Sequence, residues 1–387
     1  MPKTSISVVD IGSSNISVII GQKGANNNFV VLGSGDSEYA GYYEGEFLEE
    51  EKLKDVFASA ISEAEQSACQ TVEKLFVGVP ADFSVCDTKT VTQNYGQKTR
   101  ITQEHLDYIF SQANTYQSND YVLISCSPIA YVLDDGRKTL SPIGQKTSKI
   151  TANLSFIYAE RTFIEKINGL LKSIGIGVVE YLSASLCEAT YLLERERRED
   201  VALIIDSGYI TTSISLVKGD GLVAIRSFAV GGAHICADLS ECLGISFKDA
   251  ELLKKQLILS VRPGTEDNYE IVQKDSLITI PMNQANEIVF ARLDYIAQLI
   301  NKCLSGLKQE YPKMPYYITG GGLCYLKGAK EYISKTLGTN VTLLSPQDIH
   351  LQKPHYSSIL GLLNTAIKQE SQTKSLFKKI LEKIRKG

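Results

Sequence analysis

The chain has no tryptophan, three methionines and four histidines, and none of its eight cysteines forms a Cys-x-x-Cys pair. The cysteines, at 69, 86, 126, 187, 236, 242, 303 and 324, keep no metal-ligand spacing with the histidines. That excludes a zinc framework and reads as buried or inert thiols in a reducing compartment. No uninterrupted apolar run approaches the ~20 residues that span a bilayer. Met1 to Ser7 leads almost at once into a strand, which leaves no room for an apolar signal segment. The expectation is a cytosolic protein whose membrane contact is peripheral. Net basic charge is missing too: the formal charge is −4, so no nucleic-acid partner is expected. What is there, 43% hydrophobic and 22% charged residues over 387 positions, suits a soluble chain too long for one core, with two or three compact units.

One pattern occurs twice. Val8-Val9-Asp10-Ile11-Gly12-Ser13-Ser14-Asn15 opens an alternating apolar segment, and Ile204-Ile205-Asp206-Ser207-Gly208-Tyr209-Ile210-Thr211 opens another. Apolar runs bounded by glycine are buried strands, and the two-residue period persists after each glycine. Each copy therefore predicts a strand-turn-strand hairpin and no P-loop, whose phosphates rest on a helix N-terminus. Backbone N–H groups at such tips form anion sites, and Asp10 and Asp206 would face a cation carried by a nucleotide. A third element, Gly320-Gly321-Gly322, follows an apolar strand and would let backbone approach a ring or ribose.

Around these turns the order strand, strand, strand, helix, strand, helix is written twice. That predicts an α/β fold, a duplicated frame around a nucleotide cleft. Residues 81–161 break the first copy with polar, Thr- and Gln-rich strands around a helix from Thr102 to Tyr116, an inserted strand-helix-strand-strand subdomain. A helix from Ser185 to Arg198 ends in a charge run expected to be solvated. A long amphipathic helix is expected from Asn283 to Leu307, a strand emptying into three glycines and then a helix over 315–333, and a last apolar helix from Tyr356 to Ile367.

Two phosphate hairpins and then adenosine glycines, in that order, resemble the actin, sugar-kinase and heat-shock-chaperone ATPase superfamily. Within it the chain resembles FtsA, the bacterial actin-like family that anchors the FtsZ ring to the membrane. The likeness rests on Gly231-Gly232-Ala233-His234-Ile235-Cys236-Ala237-Asp238-Leu239, on Ala250-Glu251-Leu252-Leu253-Lys254, on Thr102 to Leu106 and on the place of the insert. It implies subdomain 1A at 1–80 and 162–200, 1C at 81–161, 2A at 201–232 and 313–367, and 2B at 233–312. It also implies ATP with Mg: Asp10 facing the metal, Gly12, Ser13 and Asn15 the phosphates, and Asp206 and Gly208 the second phosphate turn and the metal through water. Gly231, Gly232 and Gly320 to Gly322 would line the nucleoside, and Glu251 and Lys254 would reach ribose and base. Glu180 would position the attacking water, although Tyr181 replaces the usual Pro. Relatives carry glycines where this chain has Tyr209 and Ile210, and an acid where it has Ser213, so ATP is expected to bind while hydrolysis is weak or absent.

The resemblance further implies self-assembly into filaments, later division proteins as partners, and a site for the FtsZ C-terminal tail at Arg292, where Ala291 replaces a Pro. The C-terminus speaks for itself. After a polar linker, 368–373, Leu376, Phe377, Ile380, Leu381 and Ile384 form one helical stripe. Lys374, Lys378, Lys379, Lys383, Arg385 and Lys386 surround it against a single Glu382, a net +5. Residues 374–387 thus read as an amphipathic helix for an anionic inner-membrane surface. Alternatives from the same superfamily are a PilM-like pilus-assembly protein and a small-molecule kinase. The kinase would need an acidic base and a sugar-binding segment that the sequence does not show.

Overall fold

The computed structural model describes residues 5–25, 28–43, 45–114, 118–272, 277–347 and 351–371. Its contacts divide it into two units, the first from residues 1–202, 215–225 and 358–387, the second from 203–214 and 226–357.

In the first unit, β1 (Ser5–Ile11) and β2 (Asn15–Lys23) pair antiparallel, with Asp10 opposite Ser17, and β3 (Phe29–Glu38) pairs antiparallel with β2. The small pair β4 (Tyr42–Tyr43) and β5 (Glu46–Phe47) leads into α1 (Glu50–Ala68). This helix buries Leu53, Val56, Phe57, Ala60, Ile61 and Ala64 at helical spacing. It lies so close on β3 that a Cβ on Gly35 would stand 2.1 Å from the Ala60 carbonyl oxygen. β6 (Lys74–Val79) then runs parallel to β1.

The insert follows as β7 (Ser84–Arg100), α2 (Gln103–Ala113), β8 (Tyr121–Leu133), the short β9 (Lys138–Thr139) and β10 (Lys146–Glu160). Its sheet has the order β7-β10-β8-β9, and α2 closes it by packing Leu106, Ile109 and Phe110 against Leu123, Tyr131, Leu154 and Phe156. Thr102 is the N-cap of α2, and its box closes on His105, whose Nδ1 accepts from the Thr102 N–H at 3.1 Å. The predicted helix stops early, at Ala113.

The chain returns through α3 (Arg161–Ser173) to β11 (Val178–Ser183), parallel to β6, which completes a sheet of order β11-β6-β1-β2-β3. α4 (Ala184–Leu192) is shorter than the sequence suggests, and a 3-10 turn at Arg195–Arg198 takes over. The charge run is not all solvated. Arg198 is buried and donates to the Leu193 carbonyl at 3.0 Å, to the Gly219 carbonyl, and to Asp220 Oδ1 at 3.0 Å. Carbonyls orphaned at a helix end and a turn need donors, and a guanidinium with its acceptors in place tolerates burial.

The second copy of the frame begins with β12 (Ala202–Ser207), β13 (Thr212–Lys218) and β14 (Gly221–Phe228). Two helices follow, α5 (Gly232–Leu243) and α6 (Phe247–Gln256), then the antiparallel hairpin β15 (Asn268–Val272) and β16 (Leu277–Pro281). The long helix α7 (Met282–Cys303) ends before the predicted Leu307, with a separate turn α8 (Leu307–Glu310) after it. β17 (Tyr316–Thr319) is parallel to β12; residues 320–328 turn, so the next helix, α9 (Ala329–Leu337), starts well after the glycines. β18 (Val341–Leu343) is parallel to β17. The sheet order β14-β13-β12-β17-β18 repeats that of the first sheet strand for strand.

The last helix, α10 (Ser357–Ser371), corrects the expected division. The sequence groups it with the second copy, yet residues 358–371 pack within the first unit. Leu362 and Leu363 fill the places where Cβ atoms on Gly78 of β6 and Gly21 of β2 would sit, at 2.5 and 2.8 Å. Two glycines in the sheet face open sockets for leucines on the helix. α10 also continues through 368–371, where a linker is expected, and there Glu370 pairs with Lys74. The predicted membrane helix, 374–387, lies outside the described residues.

Gly35→Val should reduce the unfolding free energy by about 1–3 kcal/mol, because the added atoms must push α1 off β3. Urea unfolding followed by circular dichroism checks this, and an unchanged midpoint would contradict the packing.

Candidate functional site

Asp10 stands at the carboxyl end of β1, where parallel strands of α/β sheets present their ligand sites. The turn beyond it closes with the Gly12 N–H donating to the Asn15 carbonyl at 3.0 Å. Ser13 and Asn15 are half-buried, and Asn15 Nδ2 donates to Ser17 Oγ at 2.9 Å, which in turn bonds Asp36. The Tyr39 N–H donates to the Ser14 carbonyl at 2.9 Å, tying the tip to the end of β3. Ser358 Oγ donates to Asp10 Oδ1 at 2.9 Å from a position 348 residues away, a contact no local pattern could reveal. Burial pushes the Asp10 carboxyl up from the ordinary 3.8 to about 6, against the opposing Ser358 and Ile11 hydrogen bonds.

Asp206 occupies the same place in the second sheet, opposite Thr319 of β17. Its turn closes the same way, Gly208 N–H to the Thr211 carbonyl at 2.8 Å. Around it the glycines form a cradle of backbone against backbone. The Gly232 N–H donates to the Gly208 carbonyl at 2.9 Å, Ala233 N–H to the Tyr209 carbonyl at 2.7 Å, and Gly322 N–H to the Ser207 carbonyl at 2.6 Å. A Cβ on Gly322 would meet the Gly208 carbonyl at 2.2 Å, and one on Gly231 the same oxygen at 2.6 Å. Gly320, with φ +89°, leaves room for Asp206, whose carboxylate a Cβ there would meet at 2.2 Å.

These contacts alter what the glycines do. Gly231, Gly232, Gly320 and Gly322 hold the second turn, and the first N–H groups of α5 are spent on its carbonyls and, at Gly231, on His234 Nδ1 at 3.1 Å. Gly321 is the least crowded member of its trio: a Cβ there would meet His355 Cβ at 3.3 Å and Tyr325 at 3.7 Å, and no backbone. Tyr325 and His355 are themselves hydrogen-bonded, an aromatic pair the sequence does not announce.

On α6, Lys254 Nζ donates to the Gly232 carbonyl at 2.8 Å, and burial holds its amine below the usual lysine range. Glu251 accepts from the Tyr209 hydroxyl at 3.1 Å. Tyr209 therefore turns its ring toward α6 while its carbonyl is fixed by α5.

Two expected site residues are engaged elsewhere. Glu180 lies opposite Phe76 on β6, two residues short of the level of Asp10, and forms an ion cluster in which Lys74 Nζ meets it at 2.8 Å and also meets Glu370. That geometry ties α10 to the sheet and does not bring Glu180 beside Asp10. Arg292 already has its fork filled: Nε and a terminal nitrogen donate to the two oxygens of Asp238 at 2.5 and 2.6 Å, which raises its pKa. No group of three or more His, Cys, Asp or Glu among the described residues could hold a metal by itself. A cation here would have to arrive with phosphates. Asp10 suits one, since a carboxyl kept protonated by burial is ionised by a neighbouring positive charge.

Because the native Asp10 carboxyl holds its proton to about pH 6 and the unfolded one only to 3.8, stability should fall as pH rises through that window. Asp10→Asn lacks this slope. Melting temperatures of the two proteins without nucleotide, compared from pH 4 to 7, check the sign; parallel curves would refute it.

Comparison with known proteins agrees with the repeated frame. The family model described as cell division protein FtsA matches residues 203–361. The cell division protein FtsA of Bacillus subtilis is 21% identical over 364 residues, 92% of this chain and 82% of that protein. Among solved structures, the PilM-PilN type IV pilus biogenesis complex aligns with TM-score 0.63 at 16% identity, over 95% of this chain and 99% of that one. MreB 5 of Spiroplasma citri bound to AMPPNP aligns with TM-score 0.60 at 13% identity, over 97% and 100%. The chain is thus similar in sequence to cell division protein FtsA, and its two sheets built to one plan have the actin-like fold.

Proposed function

We propose that the chain is a nucleotide-binding, actin-like cell-division protein that assembles into filaments and tethers an FtsZ ring, through the FtsZ C-terminal tail, to the cytoplasmic face of the inner membrane. One observation carries the nucleotide part: two turns with the same N–H···O closure end equivalent strands, each directly after an aspartate. The turns face phosphates, Asp10 and Asp206 face Mg through its water, and the metal's charge offsets that of the phosphates. Glu251 serves the ribose, and Gly321 with Tyr325 and His355 serves the base. ATP acts chiefly as an assembly ligand with weak or absent turnover, since Glu180 is held by Lys74.

The membrane part rests on the basic, one-striped segment 374–387 and on its root, since the chain enters it from α10. No helix of the described residues is long and apolar enough to cross a membrane, which fits a surface anchor. Partner binding at Arg292 requires a tail carboxylate to displace Asp238. A second reading, pilus assembly, draws on the likeness to the PilM-PilN structure. The FtsA likeness over 92% of the chain, together with the basic tail, favours division.

Deleting 374–387 should abolish co-sedimentation with vesicles containing anionic lipid, and full-length protein with ATP should form filaments on an anionic lipid monolayer seen by electron microscopy. Retained vesicle binding would reject the anchor, and isolated particles on the monolayer would favour the pilus reading. For the partner, Arg292→Glu should reduce binding of an FtsZ tail peptide at least tenfold by fluorescence anisotropy. Unchanged affinity would remove Arg292 from the interface.

A further inference from the structure

Tyr209 stands where the superfamily pattern has glycine, and a tyrosine in a phosphate turn would ordinarily crowd it. Here the side chain leaves the turn. Its hydroxyl donates to Glu251 Oε1 at 3.1 Å, and its own carbonyl accepts the Ala233 N–H at 2.7 Å, so ring and backbone are both anchored. The helix that carries Glu251 is itself held to the cradle, since Lys254, one turn along α6, donates to the Gly232 carbonyl at 2.8 Å.

We infer that Tyr209 is a positioning residue for the sugar: its hydroxyl holds the Glu251 carboxylate in one orientation, so that the site selects nucleotides bearing the ribose hydroxyl that Glu251 meets. The inference rests on the nucleotide reading above. A carboxylate with no cation between it and the phosphates is repelled by their charge, and the neutral donors such a ligand offers are its sugar hydroxyls and base amine. Carboxylates fill this role toward ribose in other nucleotide folds. A carboxylate has about four acceptor positions, so one hydrogen bond from Tyr209 leaves capacity for a ribose hydroxyl while removing the freedom to swing away. Glycine at 209 could supply neither ring nor hydroxyl. What departs from the usual phosphate turn is thereby compensated on the sugar side.

The test is calorimetric titration of full-length protein and Tyr209→Phe with Mg-ATP, Mg-2′-deoxy-ATP and Mg-3′-deoxy-ATP. The phenylalanine keeps the ring and removes only the hydroxyl. The unaltered protein should bind ATP about tenfold tighter than at least one deoxy analogue, as expected for a hydrogen bond to a charged acceptor. In Tyr209→Phe the ratio should fall to threefold or less, while Glu251→Gln should lose it similarly. A variant with the original ratio, or a parent protein with no preference, would overturn the inference and leave nucleotide binding intact. Absence of ATP binding to the parent protein would overturn the nucleotide reading itself.

Discussion

The second turn exists because main chain meets main chain with nothing in between. Carbonyls of Ser207, Gly208 and Tyr209 receive N–H groups from Gly322, Gly232 and Ala233 at 2.6–2.9 Å, distances that admit no Cβ on the facing glycines. Buried peptide groups must be paired, and here a strand-end turn, a helix start and a post-strand loop pair with one another. That requirement keeps Asp206 at the end of β12. It also means that most of these glycines are structural, and it confines the open backbone to Gly321 and the tips themselves.

Charged side chains follow the same economy. Arg292 meets both oxygens of Asp238, Lys74 meets Glu180 and Glu370, and Arg198 meets Asp220 together with two carbonyls. A partly buried charge is costly unless it is paired and hydrogen-bonded, so residues that look available in sequence arrive in the fold already engaged. For Arg292 this makes any acidic partner a competitor of Asp238. For Glu180 it means sharing Lys74 with Glu370 on the last turn of α10. Asp10 is the contrasting case, since only the Ser358 hydroxyl and the Ile11 backbone hydrogen bond oppose the effect of its burial, and its proton stays to about pH 6.

Much of the frame was legible. The Asp-x-Gly repeat located both hairpins, and the three glycines marked the end of β17. Those signals are local, arising from residues within a turn or two of one another. Misread elements ended where local signals compete. Residues 185–198 have strong helix formers throughout, yet the chain leaves the helix at Leu193 and Arg198 is drawn inward by the carbonyls of Leu193 and Gly219. The stretch 368–371 looks like linker by composition, yet stays helical with Glu370 beside Lys74.

By itself the amino-acid order determined most of the strands and helices, that the frame is written twice, where an insert interrupts it, and which residue types stand at the two tips. Periodicity, glycine placement and charge stripes act over a few residues and can be read without coordinates. Only the tertiary structure decided the partners: Ser358 on Asp10, Tyr209 on Glu251, Asp238 on Arg292, and α10 seated over Gly21 and Gly78. Each joins positions from 42 to more than 300 residues apart, and contacts at such separations depend on how sheets and helices stack, which no local pattern encodes.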